Sequence, residues 1–230
     1  MLEIKDLSFS YHKRKIFTQL NVNFATDKLN IILGPNGTGK TTLLDSIAGL
    51  QTNDMAHSLI DFPGQKQLAY KLQQLHFFPS LTVKQTIQMY EEIDPVKQKS
   101  GITKTMKNIY DQILANIKDE KIGKLSGGEK QIVLNYCTCM LNRQLYIFDE
   151  PLSGVDINNA QLIIKMLSSI VLEKHKRVIL TSHDIDLFKD APTYIVVLNH
   201  QKCAFEGSYK NLLHATKEIS INDALRKILV

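Results

Sequence analysis

The feature that most limits the fold of this chain is the glycine-rich segment GPNGTGKTT, which runs from Gly34 to Thr42. It follows a short, wholly apolar stretch, Leu29 to Leu33, of the kind found in strands that are buried on both faces of a sheet. A helical pattern begins near Lys40. A strand, a glycine-rich loop and a helix in this order are the context that a phosphate-binding loop requires. The segment therefore predicts an α/β fold that binds a phosphorylated ligand.

The residue types of this loop fit the phosphates of a nucleotide. Glycine lets the backbone curl so that successive N–H groups face the phosphates, and the following helix adds its positive N-terminal end. Lys40 is expected to reach the β- and γ-phosphates, and the Thr41 hydroxyl is expected to bind Mg²⁺. The predicted nucleotide-binding residues of the loop are Gly34, Pro35, Asn36, Gly37, Thr38, Gly39, Lys40, Thr41 and Thr42.

An acid pair further along the chain can supply the rest of a hydrolytic site. Asp149 and Glu150 end an apolar stretch that begins at Leu145, and ligands of open α/β sheets lie at the carboxyl ends of strands. Phosphoryl transfer needs a metal-holding acid and a group that orients the attacking water. We expect Asp149 to hold Mg²⁺ and Glu150 to act as general base or to position the water. Without the phosphate-binding loop, a surface acid pair that caps a strand would be the better interpretation.

A second glycine-containing helix start lies in the segment LSGGEKQ, residues Leu125 to Gln131. Ser126 and Glu129 have the spacing of a capping box, and Gly127 and Gly128 leave the amides of the first turn open to an anion. A simple helix start does not explain two glycines in a first turn, where their helix propensity is poor. The segment therefore predicts a second phosphate-binding helix end.

With these motifs in this order, the chain resembles the nucleotide-binding domains of ABC transporters, in which LSGGE is the family signature. The resemblance implies that Tyr11 stacks on adenine, and a strand aromatic in the core is the alternative interpretation. Gln73 would touch Mg²⁺ and the attacking water, with the adjacent Gln74 as a competitor for this role. Asp156 would belong to the loop that the family calls the D-loop, and His183 would face the γ-phosphate.

The pattern of apolar residues predicts one domain, residues 1–230, with two additions to its core. The fold class is an α/β P-loop NTPase core with a mixed sheet, an antiparallel β subdomain near the N-terminus and an inserted small α-helical subdomain. The core would comprise residues 1–73 and 125–230, and the helical subdomain about residues 74–124.

Two helices are expected in the helical subdomain. Thr82 and Gln85 fit a capping box that opens the first helix, which Asp94 and Pro95 would end. The second helix is predicted from apolar residues at helical spacing, namely Ile102, Met106, Ile109, Ile113 and Ile117.

The resemblance also implies an activity and partners. The chain would be a Mg-dependent ATPase, with ATP and Mg²⁺ as its ligands, and two such chains would pack head to tail. The helix end formed by Ser126, Gly127, Gly128 and Glu129 of one chain would close over the ATP on the loop of the other. The second chain would be an identical copy or a paralogous ATPase subunit. Closure would drive separate transmembrane permease subunits, and export is the expected direction, because no regulatory domain follows the last predicted strands.

Charge and composition leave one alternative function. The formal net charge is +5, which invites a nucleic-acid interpretation, but the densest cluster is only Lys13, Arg14 and Lys15, which we interpret as a solvated turn. No specific nucleic acid is therefore expected, and a non-transport relative acting on nucleic acid or the ribosome is the alternative. No apolar run approaches the length needed to span a bilayer, so the chain is expected in the bacterial cytoplasm, peripheral on the inner face of the membrane.

Overall fold

Two sheets built from nine strands are found in the computed structural model of the chain, which describes residues 1–51, 56–73, 78–93 and 102–229. The strands are β1 (Leu2–Tyr11), β2 (Arg14–Phe24), β3 (Leu29–Leu33), β4 (Leu59–Ile60), β5 (Leu68–Lys71), β6 (Leu145–Phe148), β7 (Arg177–Thr181), β8 (Thr193–Asn199) and β9 (Lys202–Gly207). The larger sheet has the order β5-β6-β7-β3-β8-β9, and the smaller one β2-β1-β4.

The larger sheet is mixed. Its neighbouring strands are parallel from β5 to β8, and β9 is antiparallel to β8. The smaller sheet is antiparallel throughout, since β1 pairs with β2 on one side and with β4 on the other. The predicted fold class, an α/β core with a mixed sheet and an antiparallel β subdomain, is confirmed.

The helices cover the two faces of the larger sheet. They are α1 (Lys40–Ile47), α2 (Val83–Ile93), α3 (Lys104–Ile109), α4 (Gly127–Met140), α5 (Ile157–Leu172), α6 (Tyr209–Thr216) and α7 (Ile221–Leu229). A π-helical turn, Tyr110–Leu114, follows α3 directly. Among the described residues, no helix combines the length and the apolar character that crossing a membrane requires.

The strand before the glycine-rich loop explains why the core has two apolar layers. All five residues of β3 are buried, and successive side chains of a strand point to opposite faces of its sheet. Leu29 and Ile31 pack with the layer that contains α4 and α5. Ile32 packs with the layer that contains α1 and the antiparallel sheet. The carboxyl end of β3 is thereby held between two hydrophobic layers.

The first helix of the predicted helical subdomain begins as expected. The Thr82 N–H donates to Gln85 Oε1 at 2.9 Å, and the Gln85 N–H donates to Thr82 Oγ1 at 3.1 Å. This reciprocal pair confirms the capping box. Asp94 and Pro95, the predicted end of the helix, lie outside the described residues.

The second helix of this region differs from the prediction. It begins at Lys104 with Thr103 as N-cap, and Ile102 is exposed. The π-helical turn then takes one more residue per turn than an α-helix, so Leu114 is buried where Ile113 was predicted to be. The boundaries of about 74–124 stay a prediction, because buried side chains of α2 and α3 join the same apolar layer as β3.

Candidate functional site

The glycine-rich loop leaves β3 and enters α1 with two glycines in left-handed conformations. Gly37 has φ 81° and Gly39 has φ 96°, and side chains strongly disfavour this region. A Cβ on Gly39 would also lie 2.6 Å from Ile16 Cγ2, so the close approach of β2 to the loop requires glycine. The antiparallel sheet therefore fixes the start of α1.

Lys40 lies inside this loop. It is 8% exposed, and its Nζ donates to the carbonyl oxygens of Gly34 at 2.8 Å and Pro35 at 3.3 Å. Burial lowers the pKa of Lys40, and the carboxylates of Glu150 and Asp149 partly offset that effect. An ammonium that binds carbonyl oxygens of its own loop can exchange them for the oxygens of a phosphate.

A hydroxyl from each of two elements binds Asp149. This carboxylate is 2% exposed. Its Oδ2 accepts from Thr41 Oγ1 at 2.8 Å and its Oδ1 accepts from Thr181 Oγ1 at 2.6 Å. Thr181 Oγ1 also accepts from the Glu150 N–H at 2.8 Å. The end of β7 thus ties the acid pair to the loop at the carboxyl ends of the strands.

Glu150 and His183 face one another. Glu150 Oε1 lies 3.0 Å from His183 Nε2, and the carboxylate side chain is 11% exposed while the imidazole is 56% exposed. Burial raises the pKa of Glu150, and His183 and then Lys40 oppose that rise. The backbone of Glu150 has φ 49°, a conformation that costs a non-glycine residue energy and is common at functional sites. A carboxylate with a raised pKa and an imidazole partner suits general base chemistry.

These groups line a cleft of about 320 Å³. Among the predicted site residues that line it are Tyr11, Asn36, Gly37, Gly39, Lys40, Thr41, Thr42, Gln73, Asp149, Glu150 and His183. The structure therefore brings together most of the loop, the acid pair and three of the four residues that the family resemblance added, whereas Gly34, Pro35 and Thr38 of the loop do not line this cleft.

The position of Tyr11 decides between its two interpretations. The side chain is 45% exposed, and its hydroxyl donates to Gln51 Oε1 at 3.2 Å. The ring packs edge-on against Phe9, with centroids 4.8 Å apart. The alternative interpretation of Tyr11 as a core aromatic is wrong, and its ring forms one wall of the cleft. Gln73 also lines the cleft, whereas its competitor Gln74 lies outside the described residues.

The second predicted helix end has the expected local structure. The Ser126 N–H donates to Glu129 Oε2 at 2.8 Å and the Glu129 N–H donates to Ser126 Oγ at 3.2 Å, so the capping box is confirmed. Asp156 caps α5 by accepting from the N–H groups of Asn158 at 3.0 Å and Asn159 at 3.1 Å.

The glycine-containing helix end lies beside the cap of α5 and away from the cleft. A Cβ on Gly128 would lie 3.4 Å from Asp156 Oδ2. Within the described part of the chain, the cleft lining contains neither Asp156 nor any of Ser126, Gly127, Gly128 and Glu129. Within one chain, the loop and its acid pair therefore lie in the cleft, and the glycine-containing helix end lies outside it.

Two side chains at the site escaped the sequence analysis. Arg14 lines the cleft, although the cluster around it was interpreted as a solvated turn. Arg14 follows Tyr11 by three residues, across a tight turn, and this spacing could have indicated that it lies beside Tyr11 at the cleft. Thr181 carries no signal in the sequence, because its contact with Asp149 depends on β6 and β7 being neighbours in the sheet.

The larger sheet has six strands and is mixed. A glycine-rich loop follows one of its inner strands, and an acid pair bound by two hydroxyls follows another. These features together define a nucleoside-triphosphate-binding protein of the P-loop class. The family model described as ABC transporter matches residues 17–153, more than half of the chain. The chain belongs to the ABC transporter family, in which it is an ATP-binding, ATP-hydrolysing subunit of a transporter.

Individual relatives agree with the family assignment. The chain is 29% identical over 219 residues to the zinc import ATP-binding protein ZnuC of Ehrlichia canis, and the alignment covers 94% of this chain and 87% of that protein. A solved structure described as the ATP binding subunit of an ABC transporter matches with a TM-score of 0.81 at 18% identity, covering 99% of each chain. A dimeric structure of a bacterial ABC transporter cassette matches with a TM-score of 0.70 at 19% identity, covering 90% of this chain and 98% of that one.

Proposed function

We propose that this chain forms a dimer when it binds ATP and that the dimer drives a substrate through separate transmembrane permease subunits. One observation carries the proposal. Among the described residues, the lining of the cleft contains most of the loop, the acid pair and His183, but none of the residues of the glycine-containing helix end. In this proposal the predicted phosphate contacts of the helix end therefore come from another chain, either an identical copy or a paralogous subunit.

The loop and Tyr11 hold the nucleotide in this proposal. Backbone N–H groups of the loop and the Lys40 ammonium bind the phosphates, and the exposed ring of Tyr11 stacks on adenine. Base stacking of this kind is worth about 1–3 kcal/mol. Ser126, Gly127, Gly128 and Glu129 of the second chain, with its Asp156 nearby, would cover the phosphates from the opposite side.

Oxygen ligands suited to Mg²⁺ converge in the cleft. The Thr41 hydroxyl already lies 2.8 Å from the Asp149 carboxylate, and the Gln73 amide lines the same cleft. Hydroxyl, carboxylate and amide oxygens are ligands that Mg²⁺ prefers, so Thr41, Asp149 and Gln73 would hold the ion. When bound, the ion would neutralise charge on the phosphates.

In this proposal Glu150 acts on the water that attacks the phosphate. Its side chain is only 11% exposed, its Oε1 lies 3.0 Å from His183 Nε2, and the positive charge of Lys40 acts on it. In this role Glu150 takes a proton from the water, or holds the water in line for attack, while Lys40 and His183 face the phosphate that leaves. Such a base contributes about 10²–10⁴-fold to a rate.

The relatives support a partner in the membrane and alter the expected direction of transport. Export was expected from the absence of a following regulatory domain, which is an argument from where the chain ends. The Ehrlichia canis relative is named as a zinc import protein. We therefore propose import, by a chain bound peripherally to its permease at the cytoplasmic face. Uptake or release of cargo by vesicles containing the chain and its permease decides the direction.

Glu150→Gln tests the proposed function, because it keeps the shape of the side chain and removes the base. ATP turnover should fall by about 100-fold or more, ATP binding should persist, and a dimer should accumulate with ATP because hydrolysis no longer releases it. Turnover is measured by phosphate release, and the dimer by size-exclusion chromatography with light scattering.

The matched control is Glu120→Gln, which makes the same change at an exposed position. Its turnover should equal that of the unmodified chain. Full hydrolysis by the Glu150→Gln protein would remove Glu150 from the mechanism, and a monomer in saturating ATP would contradict the proposed dimer.

A further inference from the structure

One buried cation near the acid pair has no part in the mechanism described so far. Lys71, the last residue of β5, is 1% exposed. Among the described residues its Nζ has no hydrogen-bond partner. Burial of an ammonium without a partner is strongly unfavourable. A methionine or leucine would fill the same space without that cost, so the charge itself calls for an explanation.

The alternation of side chains along β5 places Lys71 on a defined face of the sheet. Tyr70 points to the face of α1, where its hydroxyl donates to Asp45 Oδ1 at 2.9 Å. Ala69 and Lys71 therefore point to the opposite face, and Ala69 packs in the layer that contains α4. The Asp149 N–H donates to the Lys71 carbonyl at 2.9 Å. Lys71 is thus the lateral neighbour of the acid pair in the sheet.

Helix α4, which packs against β5, presents unused acceptors on the same side. The side-chain oxygens of Gln131 and Asn135 are buried and accept no hydrogen bond from the described residues. The Asn135 amide donates to the Pro151 carbonyl at 3.2 Å and to the Gln131 carbonyl at 2.8 Å. The middle of this helix is therefore attached to the residue that follows Glu150, and the helix carries two buried polar oxygens that accept no hydrogen bond from the described residues.

Lys71 and the acid pair interact electrostatically. Burial lowers the pKa of Lys71 to about 8, and the charges of Asp149 and Glu150 partly offset this. Burial raises the pKa of Glu150, His183 and Lys40 oppose that rise most, and Lys71 opposes it more weakly. In a poorly solvated region such interactions are weakly screened.

We propose that Lys71 is a positioning residue for hydrolysis, whose fixed positive charge behind the acid pair holds the Glu150 carboxylate in place toward the attacking water. The proposal rests on the water-activating role given to Glu150 above. It predicts an effect on the rate of the chemical step and none on nucleotide affinity, because Lys71 lies outside the lining of the cleft.

Replacement of Lys71 by methionine separates this role from a structural one. In the full chain, Lys71→Met should lower kcat for ATP hydrolysis by about tenfold and leave KM for ATP within about twofold. The melting temperature should stay the same or rise, since an unpaired buried ammonium is removed. Lys66→Met, the same change on an exposed side chain two residues before β5, is the control and should leave all three quantities unchanged. A kcat within about twofold of the unmodified chain, or a loss of kcat that follows a loss of folded protein, would overturn the proposal.

A thermal unfolding cycle with Glu150→Gln tests the same contact without any activity. Lys71→Met should raise the melting temperature more in the Glu150→Gln background than in the unmodified chain. In the Glu150→Gln protein the ammonium has lost its attraction to the Glu150 carboxylate, so its removal gives up less. Equal shifts in both backgrounds would show that the two groups do not interact and would overturn the proposal. If the unmodified chain fails to hydrolyse ATP even with its permease, the proposed function fails, while this cycle still decides the role of Lys71.

Discussion

A single hydroxyl organises the acid pair at the residue scale. Thr181 is fully buried, donates to Asp149 at 2.6 Å and accepts from the Glu150 N–H at 2.8 Å. Thr181 therefore fixes the position of the Asp149 carboxylate, which would hold Mg²⁺, and of the Glu150 backbone, whose side chain would act on water. The left-handed φ of Glu150 depends on this second bond, since an unusual backbone conformation persists only where its surroundings fix it.

Thr181→Val keeps the volume of the side chain and removes both hydrogen bonds. The Glu150 N–H and the Asp149 carboxylate then lose a partner in a buried place, so the free energy of unfolding should fall by about 1–3 kcal/mol. ATP turnover should fall as well, because Glu150 is no longer held. Urea unfolding followed by circular dichroism measures the stability, and phosphate release the turnover.

Thr138→Val is the control for that substitution. Thr138 is also buried, but among the described residues its hydroxyl donates only to the Leu134 carbonyl one turn earlier in α4, a local bond that contributes little to helix stability. Its free energy of unfolding should change by less than about 1 kcal/mol, with turnover unchanged. Equal losses in the two variants would mean that Thr181 has no special role at the acid pair.

Residues of the site differ in how far the sequence could reveal them. Lys40 and Asp149 follow from motif chemistry, since their neighbours in the chain are also their neighbours in the loop and the strand. Tyr11 and His183 required the family resemblance. Thr181 and Lys71 act across strand pairs, β7 with β6 and β5 with β6, and nothing local in the chain marks which strands become neighbours.

At the scale of elements, two serine-capped helices allow stability to be separated from function. Ser126 accepts from the Glu129 N–H at 3.2 Å at the start of α4. Ser208 accepts from the Asn211 N–H at 3.2 Å at the start of α6. Loss of either cap leaves an N–H of the first turn without its partner, but only α4 begins with the glycines assigned to ATP.

Ser126→Ala and Ser208→Ala should each lower the free energy of unfolding by about 0.5–2 kcal/mol. Turnover should fall only for Ser126→Ala, because its hydroxyl also belongs to the surface that covers ATP in the dimer. Both stabilities are measured by chemical denaturation, and turnover is measured below the temperature at which either variant unfolds. Equal turnover in the two proteins would argue that the start of α4 does not contact the nucleotide.

The sequence predicted long elements better than short ones. The five apolar residues of β3 and the capping box of the eleven-residue α2 provide enough residues to recognise each element. The strands β4, with two residues, and β5, with four, carry too few. Strand β4 is defined by its pairing with β1. The π-helical turn Tyr110–Leu114 inserts one residue into an otherwise regular helical repeat, so counting by α-helical spacing selected Ile113 in place of Leu114.

At the scale of the whole molecule, the glycine-containing helix end lies outside the lining of the described cleft. In the proposed dimer, one ATP contacts the loop of one chain and the helix end of the other. In a symmetric head-to-tail pair, each site takes its loop from one chain and its helix end from the other. This arrangement makes a prediction that does not depend on any single contact. Two chains that are inactive for different reasons should regain activity when they are mixed.

Lys40→Ala and Gly127→Asp provide the two inactive chains. The first removes the ammonium of the loop. The second places a carboxylate where phosphates would bind, yet it leaves the fold intact. A Cβ on Gly127 would meet only the Gly154 carbonyl, at 3.8 Å, and an acidic residue in the first turn of a helix is favourable. Equal unfolding free energies for Gly127→Asp and the unmodified chain check this assumption.

Each variant alone should be inactive, because both sites of its dimer carry the defect. In an equal mixture about half of the dimers contain one chain of each kind, and such a dimer has one site with both defects and one intact site. Mixing should therefore restore roughly a quarter of the turnover of the unmodified chain, if the two sites act independently. A site contained within one chain would give no recovery at any ratio, since every chain in the mixture would carry a defect. Phosphate release measured across a series of mixing ratios distinguishes the two cases, because recovery from shared sites is greatest at the equal ratio.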